Sequence, residues 1–163
     1  MTFTTADFLD YTDELVTLLK QIVAIESPST DKAAVDRLGA FMADELRRLG
    51  AAITVDSQTE VGDHVLGRWG STSKDGLLVL CHMDTVFDLG TLARQPIREA
   101  NGRLYGPGAI DMKSSLAMVV VALRWLKQQR RWPDRPVTVL LTSDEEIGSE
   151  HSRALIEAQA REA

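Results

Sequence analysis

The run Leu77-Leu78-Val79-Leu80-Cys81-His82-Met83-Asp84-Thr85-Val86 decides how the rest of the chain is read, because an apolar segment stops abruptly at a histidine and an aspartate. Consecutive apolar residues of this kind predict a buried strand. His82 and Asp84 then fall at its carboxyl end, where open α/β sheets place ligand-binding and catalytic groups. Chemistry at a strand tip is the first expectation.

Downstream, Val137-Thr138-Val139-Leu140-Leu141 is a second strongly apolar strand, and Thr142-Ser143-Asp144-Glu145-Glu146 sits at its tip. Between the two, Asn101-Gly102 separates Pro96-Ile97-Arg98-Glu99 from Arg103-Leu104-Tyr105 and predicts a small hairpin with a two-residue type I′ turn. Gly106-Pro107-Gly108 forms a loop, and Asp111 opens a long helix through about Gln128, with Leu116, Val119, Val120, Leu123 and Leu126 on its face. A last helix begins near Ser149 or Glu150 and meets no stop before Ala163.

Upstream, Leu9, Val16, Leu19, Ile22 and Val23 recur at helical spacing from about Ala6 to Glu26, and Ser27-Pro28-Ser29-Thr30 breaks that helix. A second helix runs from about Asp31 to Leu49 on a stripe of Val35, Leu38, Phe41, Met42, Leu46 and Leu49, with Gly50 as its stop. Short strands follow at Ala51 to Val55 and Val65 to Trp69, then a polar loop from Gly70 to Gly76. This alternation of helices and apolar strands predicts a layered α/β fold.

The 163 residues, 44% of them hydrophobic, suffice for one sizeable core and favour a single domain. A formal net charge of -6 argues against a nucleic-acid partner, whose footprint is a clustered basic face. One cysteine, Cys81, excludes an intramolecular disulfide framework and points to a reducing cytoplasm. No apolar run approaches the roughly 20 residues of a membrane span. Residues Met1 to Asp10 lack the basic start and apolar core of a signal peptide, so the expected location is cytoplasmic.

Three polar groups fall at comparable places: His82 and Asp84 after one strand, Asp111 at a helix start, and Glu145-Glu146 after another strand. Histidine with carboxylates suits a borderline divalent cation such as zinc. Asp84 is placed to accept the second imidazole N–H of His82 and so to orient a metal-binding ring. Each piece also has a bland reading. A lone histidine at a strand end is commonly structural, Asp111 fits a helix N-cap, and Asp144-Glu145-Glu146 fits a solvated turn favoured by the next helix's dipole. Together, adjacent acids at a buried tip repel one another and are costly to gather without a cation. His64 and His151 read as surface or loop histidines, Cys81 as a small buried residue, and Trp69, Trp125 and Trp132 as packing.

The segments His82-Met83-Asp84-Thr85-Val86, Tyr105-Gly106-Pro107-Gly108-Ala109-Ile110-Asp111-Met112-Lys113 and Ser143-Asp144-Glu145-Glu146-Ile147-Gly148-Ser149 resemble, in order and spacing, motifs of the co-catalytic zinc exopeptidases and amidohydrolases. That family includes bacterial glutamate carboxypeptidase, acetylornithine deacetylase, succinyl-diaminopimelate desuccinylase and aminoacylase; Gly90-Thr91-Leu92-Ala93 and Pro96 look most like the glutamate carboxypeptidase branch. The resemblance implies two zinc ions, with cobalt or manganese as substitutes. His82 would bind one, Asp111 would bridge both, and Glu146 would bind the second. Asp84 would orient His82, Glu145 would be the general base, and the Asp111-Met112 peptide would be cis. The implied function is hydrolysis of an amide bond next to a free carboxylate, on a peptide or, alternatively, an N-acyl amino acid.

The chain departs from the family in Cys81, where a glycine is usual, and in Ser114-Ser115, where two glycines are common. A further acidic ligand, a distant histidine and the inserted lid domain through which members dimerise have no counterpart here. The expected fold class is therefore α/β, a three-layer α/β/α sandwich around a mostly parallel mixed sheet that is incomplete at its carboxyl end. Residues 1–163 would be the amino-terminal part of a catalytic domain. Such a part is expected to hold metal weakly and to have little activity by itself, and a non-catalytic interaction module is the competing reading.

Overall fold

The computed structural model describes residues 5–70 and 75–163. Residues 1–4 and the middle of the polar loop expected between Gly70 and Gly76 lie outside the described residues.

A 3-10 helix over Thr5–Tyr11 leads into α1 (Thr12–Val23), whose Leu18, Leu19, Ile22 and Val23 are buried. Helix α2 (Lys32–Arg48) starts where the Asp31 carboxylate accepts the Ala34 N–H at 2.8 Å, satisfying one of the amides that a helix start leaves without a partner. It ends before Gly50, whose φ of 83° reverses the chain at no steric cost. The strands β1 (Ala52–Asp56), β2 (His64–Trp69) and β3 (Leu77–His82) follow. A short helix α3 (Thr91–Arg94), absent from the sequence reading, precedes the hairpin of β4 (Arg98–Ala100) and β5 (Arg103–Tyr105). Its turn residues Asn101 and Gly102 have φ of 53° and 69°, both positive as a type I′ turn requires.

A π-helical turn (Ala109–Lys113) precedes α4 (Ser114–Gln128), and β6 (Val137–Thr142), a 3-10 turn (Glu145–Ile147) and α5 (Arg153–Glu162) complete the chain. The expectation that Asp111 opens the long helix is corrected. Asp111 and Met112 have non-helical backbone, with φ of -124° and -121°, so the α-helix begins only at Ser114.

The main sheet runs in the order β1-β2-β6-β3. It is mixed, as expected, but only β3 and β6 are parallel; β1 with β2 and β2 with β6 are antiparallel. The difference from a mostly parallel sheet has a simple cause. β1 and β2 are joined by residues 57–63, too short a link for a helical crossover, whereas α4 carries the chain from β3 back to β6. One face of the sheet, with Val65, Trp69, Val79, Cys81, Val139 and Leu141, packs into a single core with α1, α2 and α4. Residues of the alternate register, Leu66 opposite Leu140, are buried on the other face, where Arg68 Nη2 donates to Gln159 Oε1 of α5 at 2.6 Å. Helices thus flank both faces and give three layers. Among the described residues β1 and β3 are edges, and Leu77 and Leu80 of β3 are exposed. No helix among the described residues is long and apolar enough to cross a membrane.

Candidate metal centre

Because β3 and β6 are parallel and His82 pairs with Thr142, the carboxyl ends of both strands stop side by side. The α4 crossover brings its amino end to the same edge, so three distant segments converge there. The chain beyond β3 is held on its other side by residues 27–29. Thr85 N–H donates to Ser27 O at 2.8 Å, Ser29 N–H to Thr85 O at 3.1 Å, and Ser27 Oγ to Met83 O at 2.8 Å.

His82 is buried, and its two ring nitrogens face different groups. Nδ1 lies 3.0 Å from the backbone carbonyl of Asp84 and 3.4 Å from its Oδ1. Both neighbours are acceptors, so Nδ1 carries a proton and Nε2 is the nitrogen left for a second proton or a metal ligand. That nitrogen points at Asp111 Oδ1, 3.2 Å away, and at Glu145 Oε2, 3.7 Å away. Burial alone would lower the His82 pKa, but Asp84 and then Glu145 raise it to about 9. A positive charge is favoured at this point, whether it arrives as a proton or as a metal cation.

Asp84 is fully buried and links two segments. Its Oδ2 accepts Ser29 Oγ at 2.7 Å and the Glu146 N–H at 3.1 Å, and its Oδ1 accepts the Glu145 N–H at 3.2 Å. Burial would raise its pKa, but His82, Ser29 and the Glu146 amide hold it below the usual carboxylate range. The carboxylate that orients the imidazole therefore also fixes the backbone carrying both glutamates.

Asp111 stands in the π-helical turn and is followed by a cis peptide to Met112. It is not a helix cap, because Lys113 occupies the N-cap position of α4 and makes no side-chain cap bond. Its side chain is exposed and turned to His82 instead. The turn approaches the β3 tip closely: a Cβ at Gly108, whose φ is 67°, would meet Thr85 Cγ2 at 2.6 Å. Met112 Sδ accepts the His82 N–H at 3.0 Å, and the buried Lys113 Nζ donates to Ile25 O at 2.6 Å. Burial brings the Lys113 pKa down to about 8 against the pull of Glu26.

One ligand atom each from His82, Asp111 and Glu146 lies within 4.8 Å of the others. The Glu146 pKa is raised by burial and then by the Asp111 carboxylate, with His82 opposing. An imidazole lone pair and two crowded carboxylates suit a borderline divalent cation, which would relieve that repulsion. Glu145 lies at the rim of this group, with its backbone held and its carboxylate exposed.

The pattern of peptidase family M20/M25/M40 matches residues 78–163, the stretch that carries all three convergent segments. The chain belongs to this family. It is 35% identical over 92% of its length to carboxypeptidase G2 of Pseudomonas sp. (strain RS-16), and 33% identical over 85% to acetylornithine deacetylase of Proteus mirabilis (strain HI4320), covering 37% of each relative. Among solved structures, human carnosine dipeptidase 1 superposes with a TM-score of 0.79 at 26% identity, over 94% of this chain and 37% of that one. An M20 family metallo-carboxypeptidase of Sulfolobus solfataricus superposes with a TM-score of 0.76 at 19% identity, over 93% and 36%, which shows the fold alone. The chain thus spans about 37% of the length of the curated M20 relatives it matches.

The structure brings together all five residues that the sequence singled out, His82, Asp84, Asp111, Glu145 and Glu146. It corrects His64, read as a surface or loop histidine. His64 opens β2 and is wholly buried, because strand alternation places it on the face of Leu66. His151 is exposed in a turn, as read. Ser29 was passed over as part of a helix-breaking stretch, and no local signal marks its bond to Asp84. Asp144 keeps part of its bland reading: its buried Oδ2 accepts the His151 and Ser152 N–H groups at 2.8 and 3.1 Å, at the start of α5.

Proposed function

We propose that these residues form the amino-terminal part of the catalytic domain of a zinc-dependent, carboxypeptidase-like hydrolase, which cleaves an amide bond next to a free carboxylate. The observation that carries this reading is the direction of the His82 ring. Nδ1–H is tied to Asp84, and Nε2 faces Asp111 Oδ1 in a group that Glu146 completes within 4.8 Å. Under this reading His82, Asp111 and Glu146 would be the residues that hold zinc, with cobalt or manganese as replacements. Zinc bound there would polarise a scissile carbonyl and lower the pKa of water toward about 7.

Glu145 supplies the proton transfers. Its exposed carboxylate stands beside the cluster while its amide is pinned to Asp84, so it is available to take a proton from the attacking water and pass it to the leaving amine. Asp84 acts through others: it fixes the His82 tautomer and holds the glutamate turn. A second reading, an N-acyl amino acid deacylase using the same residues, is supported by the 33% identity to an acetylornithine deacetylase.

The test is hydrolysis by the gene product at its native length, on a panel of peptides ending in glutamate and of N-acyl amino acids. The expected result is hydrolysis abolished by a chelator and restored by zinc. Turnover indifferent to the chelator, or none on either substrate class with zinc bound, would contradict the proposal.

A further inference from the structure

We propose that His64 is a positioning residue that fixes the Glu145-Glu146 turn from beneath, through Ser143 and Asp144. The argument starts from one hydroxyl. Ser143 Oγ donates its hydrogen to Gly62 O, so towards His64 Nδ1, 3.0 Å away, it acts as the acceptor. His64 therefore carries its proton on Nδ1. Burial favours this neutral ring by pushing its pKa down, with Asp144 pulling the other way.

Ser143 and Asp144 lead directly into the turn that bears both glutamates. Asp144 O accepts the Ile147 N–H at 3.4 Å and the Ser149 N–H at 2.8 Å, closing that turn, while its carboxylate holds the start of α5. From above, Asp84 accepts the amides of Glu145 and Glu146. The glutamate backbone is thus gripped on one side by Asp84 and on the other by the His64–Ser143 bond.

This lower layer is polar where an apolar one would pack more cheaply. His64 Nε2, Asp144 Oδ1 and Ser152 Oγ are all buried without a hydrogen-bond partner among the described residues. Buried polar atoms in that condition are costly, and an apolar residue at position 64 would avoid part of the cost. What His64 adds over such a residue is a donor aimed at Ser143. The proposal rests on reading the site as a metal centre, but the arrangement it describes exists in the protein chain itself.

The test compares His64→Leu, which removes the donor, with His64→Asn, whose carboxamide N–H lies where Nδ1–H lies. The first measurement is hydrogen exchange at the Glu145 and Glu146 amides without metal. His64→Leu should exchange about tenfold faster, as for the loss of one buried hydrogen bond, and His64→Asn should match the parent. The second is zinc affinity by competition with a chelating indicator, where His64→Leu should bind about tenfold more weakly and Asn should restore binding. If His64→Leu does not fold, Ser143→Ala removes the acceptor with less change of volume and should show the same faster exchange. Parent-like exchange in a folded His64→Leu or Ser143→Ala protein would overturn the proposal, and so would equal damage from Asn and Leu, which indicates packing alone. Exchange is read without metal, so a parent that binds no zinc would refute the reading of the site while the exchange data still decide the role of His64.

Discussion

The site has a buried half and an exposed half, and the two are built differently. The His82 side chain retains 7% of its exposure and Asp84 none, whereas Asp111 retains 71% and Glu145 54%. The buried pair is held by several bonds apiece and belongs to the same structure as the β3 tip. The exposed carboxylates have fixed backbones but side chains that face outward. Burial provides orientation, by choosing the tautomer of His82 and clamping the glutamate turn. Exposure leaves charge available to a cation and a substrate. In this division the buried residues determine whether the site exists, and the exposed ones determine what it does.

Substitutions in the two halves should therefore fail in different ways. The largest effect is expected on the exposed side. Glu145→Gln should lower turnover by about 10²–10⁴-fold, the usual worth of a general base, and leave thermal stability and zinc content at parent values; parent-like turnover would remove Glu145 from its role. On the buried side, Asp84→Ala breaks the bonds to Ser29, Glu145, Glu146 and His82 together. Denaturant unfolding should show a loss of about 3–5 kcal/mol, with zinc binding lost as well; unchanged stability would mean that Asp84 does not hold the tips together.

A smaller shift is expected from metal itself. At a zinc concentration about 100 times the dissociation constant the protein should gain about 2.7 kcal/mol. Asp111→Asn should abolish that gain with little change in metal-free stability, since its side chain is exposed. The smallest effect lies away from the site, at Asp63. Burial would raise its pKa, but Lys32 and the Gln58 amide hold it below the ordinary 3.8. A carboxylate with a lowered folded pKa stabilises the fold above its unfolded value and loses that contribution as pH falls through the folded one. The stability gap between parent and Asp63→Asn should therefore close as pH drops below about 3.8. A gap that widened there would reverse the assignment.

Much of this division could be read in the sequence, and for physical reasons. The apolar runs before His82 and Thr142 are long enough to announce strands, of which β6 is buried while β3 is an edge with Leu77 and Leu80 exposed, and a strand tip is where polar residues gain a shared purpose. Asp111 was less legible: its residues before α4 suggest an ordinary cap, and only the motif resemblance set it beside His82. The antiparallel pairing of β2 with β6 could not be read, because it depends on contact between segments far apart in the chain and not on local pattern. His64 and Ser29 were missed because each is a single polar residue whose partner lies far along the chain. For His64, its place two residues before Leu66 on the same strand face was the one available sign.

Anomalous diffraction at the zinc absorption edge, from crystals of the zinc-loaded protein, tests the central claim most directly. The account predicts a peak bounded by His82 Nε2 and the carboxylates of Asp111 and Glu146, with Nδ1 of the same ring still facing Asp84. A peak bound through Nδ1, a peak elsewhere, or none in folded protein would contradict it.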